Sequence, residues 1–118
     1  MILKFPTYFV DIDGTLIKYR KFAELKFKEP QPIKSVLDFV NKVYDEGGHI
    51  VFTTARPIEL EVFTKQELEN IGVKYHQIIF GIGRGTRYLI NDKDPENPDT
   101  DRAIGINLIR DKGLDGNK

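Results

Sequence analysis

Two carboxylates, Asp11 and Asp13, stand directly after the apolar run Tyr8-Phe9-Val10 and directly before Gly14-Thr15. An apolar run closed by a turn signal reads as a buried parallel strand. The two acids therefore fall where a strand ends, at the edge where open α/β sheets bind ligands. Side chains alternate along a strand, so both acids share a face only while the chain stays extended. Gly14 has it turning already, which lets the two take different roles. Two unscreened negative charges this close repel unless a cation or a shared proton neutralises them. The simplest partner is a hard divalent cation with oxygen ligands, usually Mg²⁺. Two further polar groups also follow apolar runs: Thr54 with Arg56, and Asn91-Asp92-Lys93-Asp94. Their convergence on one sheet edge says more than any of them alone. His49 and His76 fall at the opposite ends of their strands and read as ordinary surface or strand-end residues. Gly81-Ile82-Gly83-Arg84-Gly85 lacks the spacing of a nucleotide-binding glycine loop.

The elements that must position these residues read as alternating strands and helices. Residues 2 to 11 form the first strand, interrupted or staggered by Pro6. In residues 16 to 29, Ile17 with Tyr19 and Leu25 with Phe27 recur at period two and predict a small hairpin. Pro32 opens a helix striped by Ile33, Val36, Leu37, Val40, Val43 and Tyr44, which ends at Gly47-Gly48. His49 to Thr53 is the second strand. A second helix runs from Pro57 to about Asn70 and closes at Gly72, with Leu60, Phe63, Leu68 and Ile71 inward. Gln77 to Phe80 is a third strand and Arg87 to Asn91 a fourth. Residues 95 to 102 are a surface loop. Residues 103 to 109 fit strand or helix, and the tail from 111 to 118 is expected to fray. The pattern predicts βαβ units: a single α/β domain over 1–118, three-layer and Rossmann-like, with a mainly parallel sheet.

Asp11-Ile12-Asp13-Gly14-Thr15-Leu16 resembles the first motif of the haloacid dehalogenase-like (HAD) phosphohydrolases. The resemblance covers residues 5 to about 95. It is strongest to the small members without a cap domain that are associated with capsular-polysaccharide biosynthesis. It implies phosphomonoester hydrolysis through an aspartyl-phosphate, with Asp11 as nucleophile and Asp13 as general acid and then base. It implies that Thr54 hydrogen-bonds a phosphoryl oxygen; Thr15 and Lys93 are further candidate substrate-binding residues, and Arg56 either binds substrate or forms an ion pair. It further implies Mg²⁺ held by Asp11, Asp13 through its carbonyl, and Asp92. One motif departs from the family: Ile82 stands where the small relatives carry a lysine, in a run resembling Gly-Lys-Pro-Arg-Gly. Arg84 is the best substitute for that cation and Lys93 the next. The residues between the motifs leave no room for a cap, so the site is expected to be open unless a neighbouring subunit of a homo-oligomer covers it.

Composition bounds the partners. The chain has 118 residues, 18 Lys plus Arg against 18 Asp plus Glu, and no cysteine. One core is what that length supports. Zero net charge weighs against a nucleic-acid or anionic-membrane partner. The absence of cysteine removes disulfides, thiol catalysis and Cys-zinc sites. No run approaches a membrane span and Met1-Ile2-Leu3-Lys4 does not read as a signal peptide, so a cytoplasmic location is expected. The expected substrate is a phosphorylated small molecule or polysaccharide precursor. Two rivals stay open. Thr-Ala-Arg-Pro also resembles polynucleotide 3′-phosphatase domains, and the missing lysine leaves room for a phosphate-binding domain with weak turnover.

Overall fold

The computed structural model describes residues 5–116. Three strands form one parallel sheet in the order β1 (Thr7–Asp11), β2 (His49–Thr53), β3 (Gln77–Ile79). Helix α1 (Lys34–Asp45) joins the first pair and α2 (Glu61–Ile71) the second. This is the expected α/β alternation. β2 lies in the centre, and its Ile50, Val51 and Phe52 are all buried. On one sheet face, Tyr8 and Val10 pair with Ile50 and Phe52 and pack with Val36, Val40 and Val43 of α1. Each such side chain taken fully from water stabilises by about 1.5–3 kcal/mol.

Helix boundaries depart slightly from the periodic reading. Pro32 does not open α1; it bridges Ile17 in extended conformation, and the helix begins two residues later. Gly47, at φ 99°, and Gly72, at φ 78°, stop their helices where expected, in a backbone region that glycine enters without strain. A short 3-10 turn, Ile58–Leu60, precedes α2. That helix buries Leu60 and Leu68 near its ends, and between them the polar Thr64 and Glu67.

Five expectations are corrected. Residues 16 to 29 form no hairpin. They fold as a loop with a 3-10 turn, Phe22–Glu24, around the buried Arg20, and of the period-two residues Leu25 is buried while Phe27 is 89% exposed. Arg87 to Asn91 is not a strand, nor is 103 to 109 a strand or helix, and Tyr88, Leu89, Ile90, Ile104 and Ile106 are exposed. Among the described residues no strand pairs with the outer edge of β1, so it is an edge strand rather than a buried one, and Phe9 is 53% exposed. The tail does not fray at its start. Asp111 donates its N–H to the Gly14 carbonyl, and a 3-10 turn, Gly113–Asp115, lies on α1 through Leu114 N–H to Ser35 Oγ. The strand expected over residues 2 to 6 lies partly outside the described residues, as does the end of that tail.

Candidate active site

Asp11 pairs in register with Thr53, so the chain leaves β1 and β2 side by side. After β1 it folds at once. The Ile12 carbonyl accepts N–H bonds from Thr15, Leu16 and Ile17 at 3.3, 2.9 and 3.0 Å, and Gly14 N–H reaches the Ile17 carbonyl at 2.7 Å. Gly14 has φ 90°, and a Cβ there would stand 3.2 Å from Arg110 Cγ, so both conformation and space favour glycine. This turn sets Asp11 and Asp13 in the wall of a cleft of about 170 Å³ that Thr54, Arg56, Arg84, Arg87 and Arg110 also line. A space smaller than the usual ligand pocket suits a small anionic ligand and leaves the bulk of a larger one outside.

Within the cleft, Asp11 Oδ2 accepts the Thr15 hydroxyl at 3.1 Å, which orients the carboxylate. Burial pushes the Asp11 carboxyl above its ordinary value. The Thr15 hydroxyl, the positive charge of Arg87 and the Ile12 N–H pull it back, while Asp13 pushes it further up. Thr54 is buried and its Oγ1 accepts the Arg56 N–H at 3.0 Å, so its own hydroxyl hydrogen remains to donate.

Arg56 is 4% exposed and fully engaged. Its Nε and Nη2 grip both oxygens of Asp13, at 2.9 and 2.8 Å. Its Nη1 donates to Thr64 at 3.1 Å and to Glu67 at 3.0 Å, two residues spaced to share one face of α2. Burial pulls the Arg56 guanidinium down, but Asp13 and Glu67 outweigh it and the net direction is up. Glu67 also meets Arg20, at 2.9 Å. Arg20 Nη1 in turn holds the Leu25 and Lys28 carbonyls, at 3.0 and 2.8 Å. A chain of four charges, the half-buried Asp13 and the buried Arg56, Glu67 and Arg20, thus ties the first-motif loop to α2 and to the loop at 16 to 29.

Of the residues singled out in the sequence, Asp11, Asp13, Thr54, Arg56 and Arg84 come together at the cleft. Thr15 serves Asp11 rather than lining the cleft. Asp92 and Lys93 do not reach it. The Asp92 side chain is 70% exposed and pairs with Arg102 at 3.2 Å, and Lys93 faces Asp101 at 3.7 Å. The physical reason is local. Arg102 also pairs with Asp94 and Lys93 with Asp101, so the loop from 92 to 102 closes on itself instead of following a fourth strand to the sheet edge. Among the described residues no three His, Cys, Asp or Glu side chains gather into a metal-binding group. With Asp92 held away by Arg102, the expected Mg²⁺ ligand set of Asp11, the Asp13 carbonyl and Asp92 is not brought together among the described residues.

Several residues of the cleft and of the ion-pair network behind it escaped the sequence reading. Glu67 carried a signal, an acid at the inward register beside Leu68. Arg87 was absorbed into the expected strand, and it, rather than Arg84 or Lys93, is the cation whose charge bears on Asp11. Arg20, Tyr19 and Arg110 arrive through tertiary contacts with no local signal. His49 and His76 stack on each other, with ring centroids 4.1 Å apart, and do not line the cleft. No helix among the described residues is long and apolar enough to cross a membrane.

Fold and cleft together define an α/β, Rossmann-like chain with a charged pocket at the carboxyl edge of its parallel sheet. No protein-family model matches the chain, and no curated protein matches it. A crystal structure of a target protein from Vibrio cholerae is similar in fold, with a TM-score of 0.57 at 21% identity over 72% of this chain and 79% of that one. Likeness at that identity bears on the fold alone.

Proposed function

We propose that the cleft hydrolyses phosphomonoesters, with Asp11 as the nucleophile. The observation that carries this reading is the oriented Asp11 carboxylate at the end of β1, with Thr15 on one oxygen, Arg87 supplying positive charge and a Thr54 hydroxyl hydrogen across the cleft. The resemblance of residues 11 to 16 to the HAD first motif points the same way. An Asp11 oxygen attacks phosphorus and the bond to the leaving alkoxide breaks, giving an aspartyl-phosphate and, with one proton, the alcohol. Water then attacks phosphorus, releasing phosphate and restoring the carboxylate. Arg84 and Arg87 offset the negative charge of the nucleophile and the phosphoryl group, and Thr54 donates to a phosphoryl oxygen. Asp13 is the proton carrier of this scheme. As a carboxylate it accepts the proton of the attacking water; giving one to the leaving group requires a contact with Arg56 to open.

The bidentate Arg56–Asp13 contact favours one second reading, a phosphate-binding domain with little turnover. Phosphate release from a panel of sugar phosphates, polysaccharide-precursor phosphates and a 3′-phosphorylated oligonucleotide, run with and without Mg²⁺ beside Asp11→Asn, separates the two. Release that vanishes in Asp11→Asn supports the hydrolase. Phosphate binding without release from any substrate supports the binding domain.

A further inference from the structure

Arg110 is held in the cleft by a contact between the two ends of the chain. Asp111, at φ 65°, donates its N–H to the Gly14 carbonyl at 2.8 Å, while its carboxylate accepts the Tyr19 N–H at 2.6 Å. That double clasp lays the Arg110 stem across Gly14 and its guanidinium over the Tyr19 ring, 4.0 Å from the centroid. A cation on an aromatic face keeps its N–H groups free at the ring's edge, since the attraction comes from the face. Asp13 and Glu67 pair with Arg56 and Arg20. Among the described residues no carboxylate forms an ion pair with Arg110. The charge that bears on Asp11 is that of Arg87. Arg110 is therefore an oriented cation without a carboxylate partner among the described residues, in the same cleft as Asp11.

We infer that Arg110 is the binding residue for a second anionic group of the substrate. The preferred substrate is a small phosphomonoester whose leaving group carries a carboxylate or a second phosphate. A guanidinium presents paired donors matched to either anion, and stacking on Tyr19 fixes their direction before the ligand arrives. A nucleic-acid strand draws on a long-range cationic field, and a chain with no net charge supplies none. The inference rests on the phosphomonoester reading, but its test does not depend on turnover.

The probes are non-hydrolysable: methylphosphonate, phosphonoacetate and methylenediphosphonate, with phenylphosphonate and 4-phosphonobenzoate as a longer pair. Binding of each to the wild-type chain and to Arg110→Gln, Arg110→Lys and Asp111→Gly is measured by titration calorimetry, with circular dichroism confirming that each variant folds. The wild type should bind the doubly anionic probe of one pair about 10- to 100-fold tighter than its singly anionic partner. The more favoured of phosphonoacetate and methylenediphosphonate tells a carboxylate from a second phosphate. The ratio should fall below about threefold in Arg110→Gln, recover in part in Arg110→Lys, and drop in Asp111→Gly, which keeps the backbone clasp and loses the Tyr19 contact. A wild-type ratio near one, or a high ratio that survives Arg110→Gln, overturns the inference. Tighter binding of a short 3′-phosphorylated oligonucleotide, lost in Arg110→Gln, overturns the small-substrate assignment. A high ratio with no phosphate release from any ester removes the hydrolase reading and keeps the second-anion site.

Discussion

Replacing Glu67 by Gln should destabilise this protein more than any other single charge removal on α2. Glu67 is 6% exposed and its carboxylate bridges two buried guanidinium groups, Arg56 and Arg20. Removing one partner of a buried ion pair costs about 3–5 kcal/mol, because an uncompensated charge is left out of water. The low end applies here. Arg56 keeps its two bonds to Asp13, and Arg20 keeps the Leu25 and Lys28 carbonyls. Arg20 Nε, already without a partner among the described residues, gains none. A loss of about 3 kcal/mol, at roughly 3 to 5 °C per kcal/mol for a domain of this size, lowers Tm by roughly 10 to 15 °C. Urea melts at neutral pH read the same loss as a shift in midpoint at constant slope. Glu69→Gln, the same change on the exposed face of the same helix, should cost under about 0.5 kcal/mol. Adding Arg20→Met to Glu67→Gln removes a stranded charge, so the double variant should lose less than the sum of the two by at least about 1 kcal/mol. A Glu67→Gln loss no larger than that of Glu69→Gln, or strict additivity with Arg20→Met, refutes the buried network.

Asp11 carries a folded-state shift upward, so its ionisation costs stability. The cost is absent below the unfolded carboxylate range and complete once pH exceeds the folded value. Asp11→Asn should therefore raise Tm at neutral pH and change it little at pH 3, as thermal melts at the two pH values would report. The same shift places the acid limb of kcat/KM for phosphate release above the ordinary aspartate value of 3.8, in a pH–rate profile of the wild type. Arg87→Gln should lower kcat/KM by about 10²-fold, and Arg84→Gln by less, in steady-state assays with an aryl phosphate. In hydrogen exchange read by mass spectrometry, residues 84 to 109, outside the sheet and helices, should exchange early, and the central strand β2 last.

Much of the scaffold was legible because its signals are local. The stripe from Val36 to Val43 marked α1, Gly72 marked the end of α2, and His-Ile-Val-Phe-Thr marked β2 almost to the residue. Asp11 and Thr54 could be found for the same reason, each standing directly after an apolar run. What stayed hidden depends on distant partners. Tyr88-Leu89-Ile90 has the composition of a strand, but composition does not supply a neighbour to pair with, and these residues remain exposed. Asp92 was expected at the sheet edge on the strength of that strand, and its real partner, Arg102, lies ten residues on. Period two in residues 17 to 27 pointed to a hairpin, whereas Arg20 turns that loop inward to meet Glu67. The 111–118 segment read as a polar tail, yet one aspartate with a left-handed backbone fastens it to Gly14 and Tyr19, contacts that no periodicity records.

The most direct test of Asp11 as nucleophile is to trap its phosphorylated form. The wild-type chain is mixed with a turned-over phosphomonoester, quenched in acid and reduced with borohydride, which converts an aspartyl-phosphate to homoserine, and its peptides are read by mass spectrometry. Homoserine at position 11, absent without substrate and absent in Asp11→Asn, is the expected result. Phosphate release with position 11 unmodified, or modification at a different carboxylate, would contradict it.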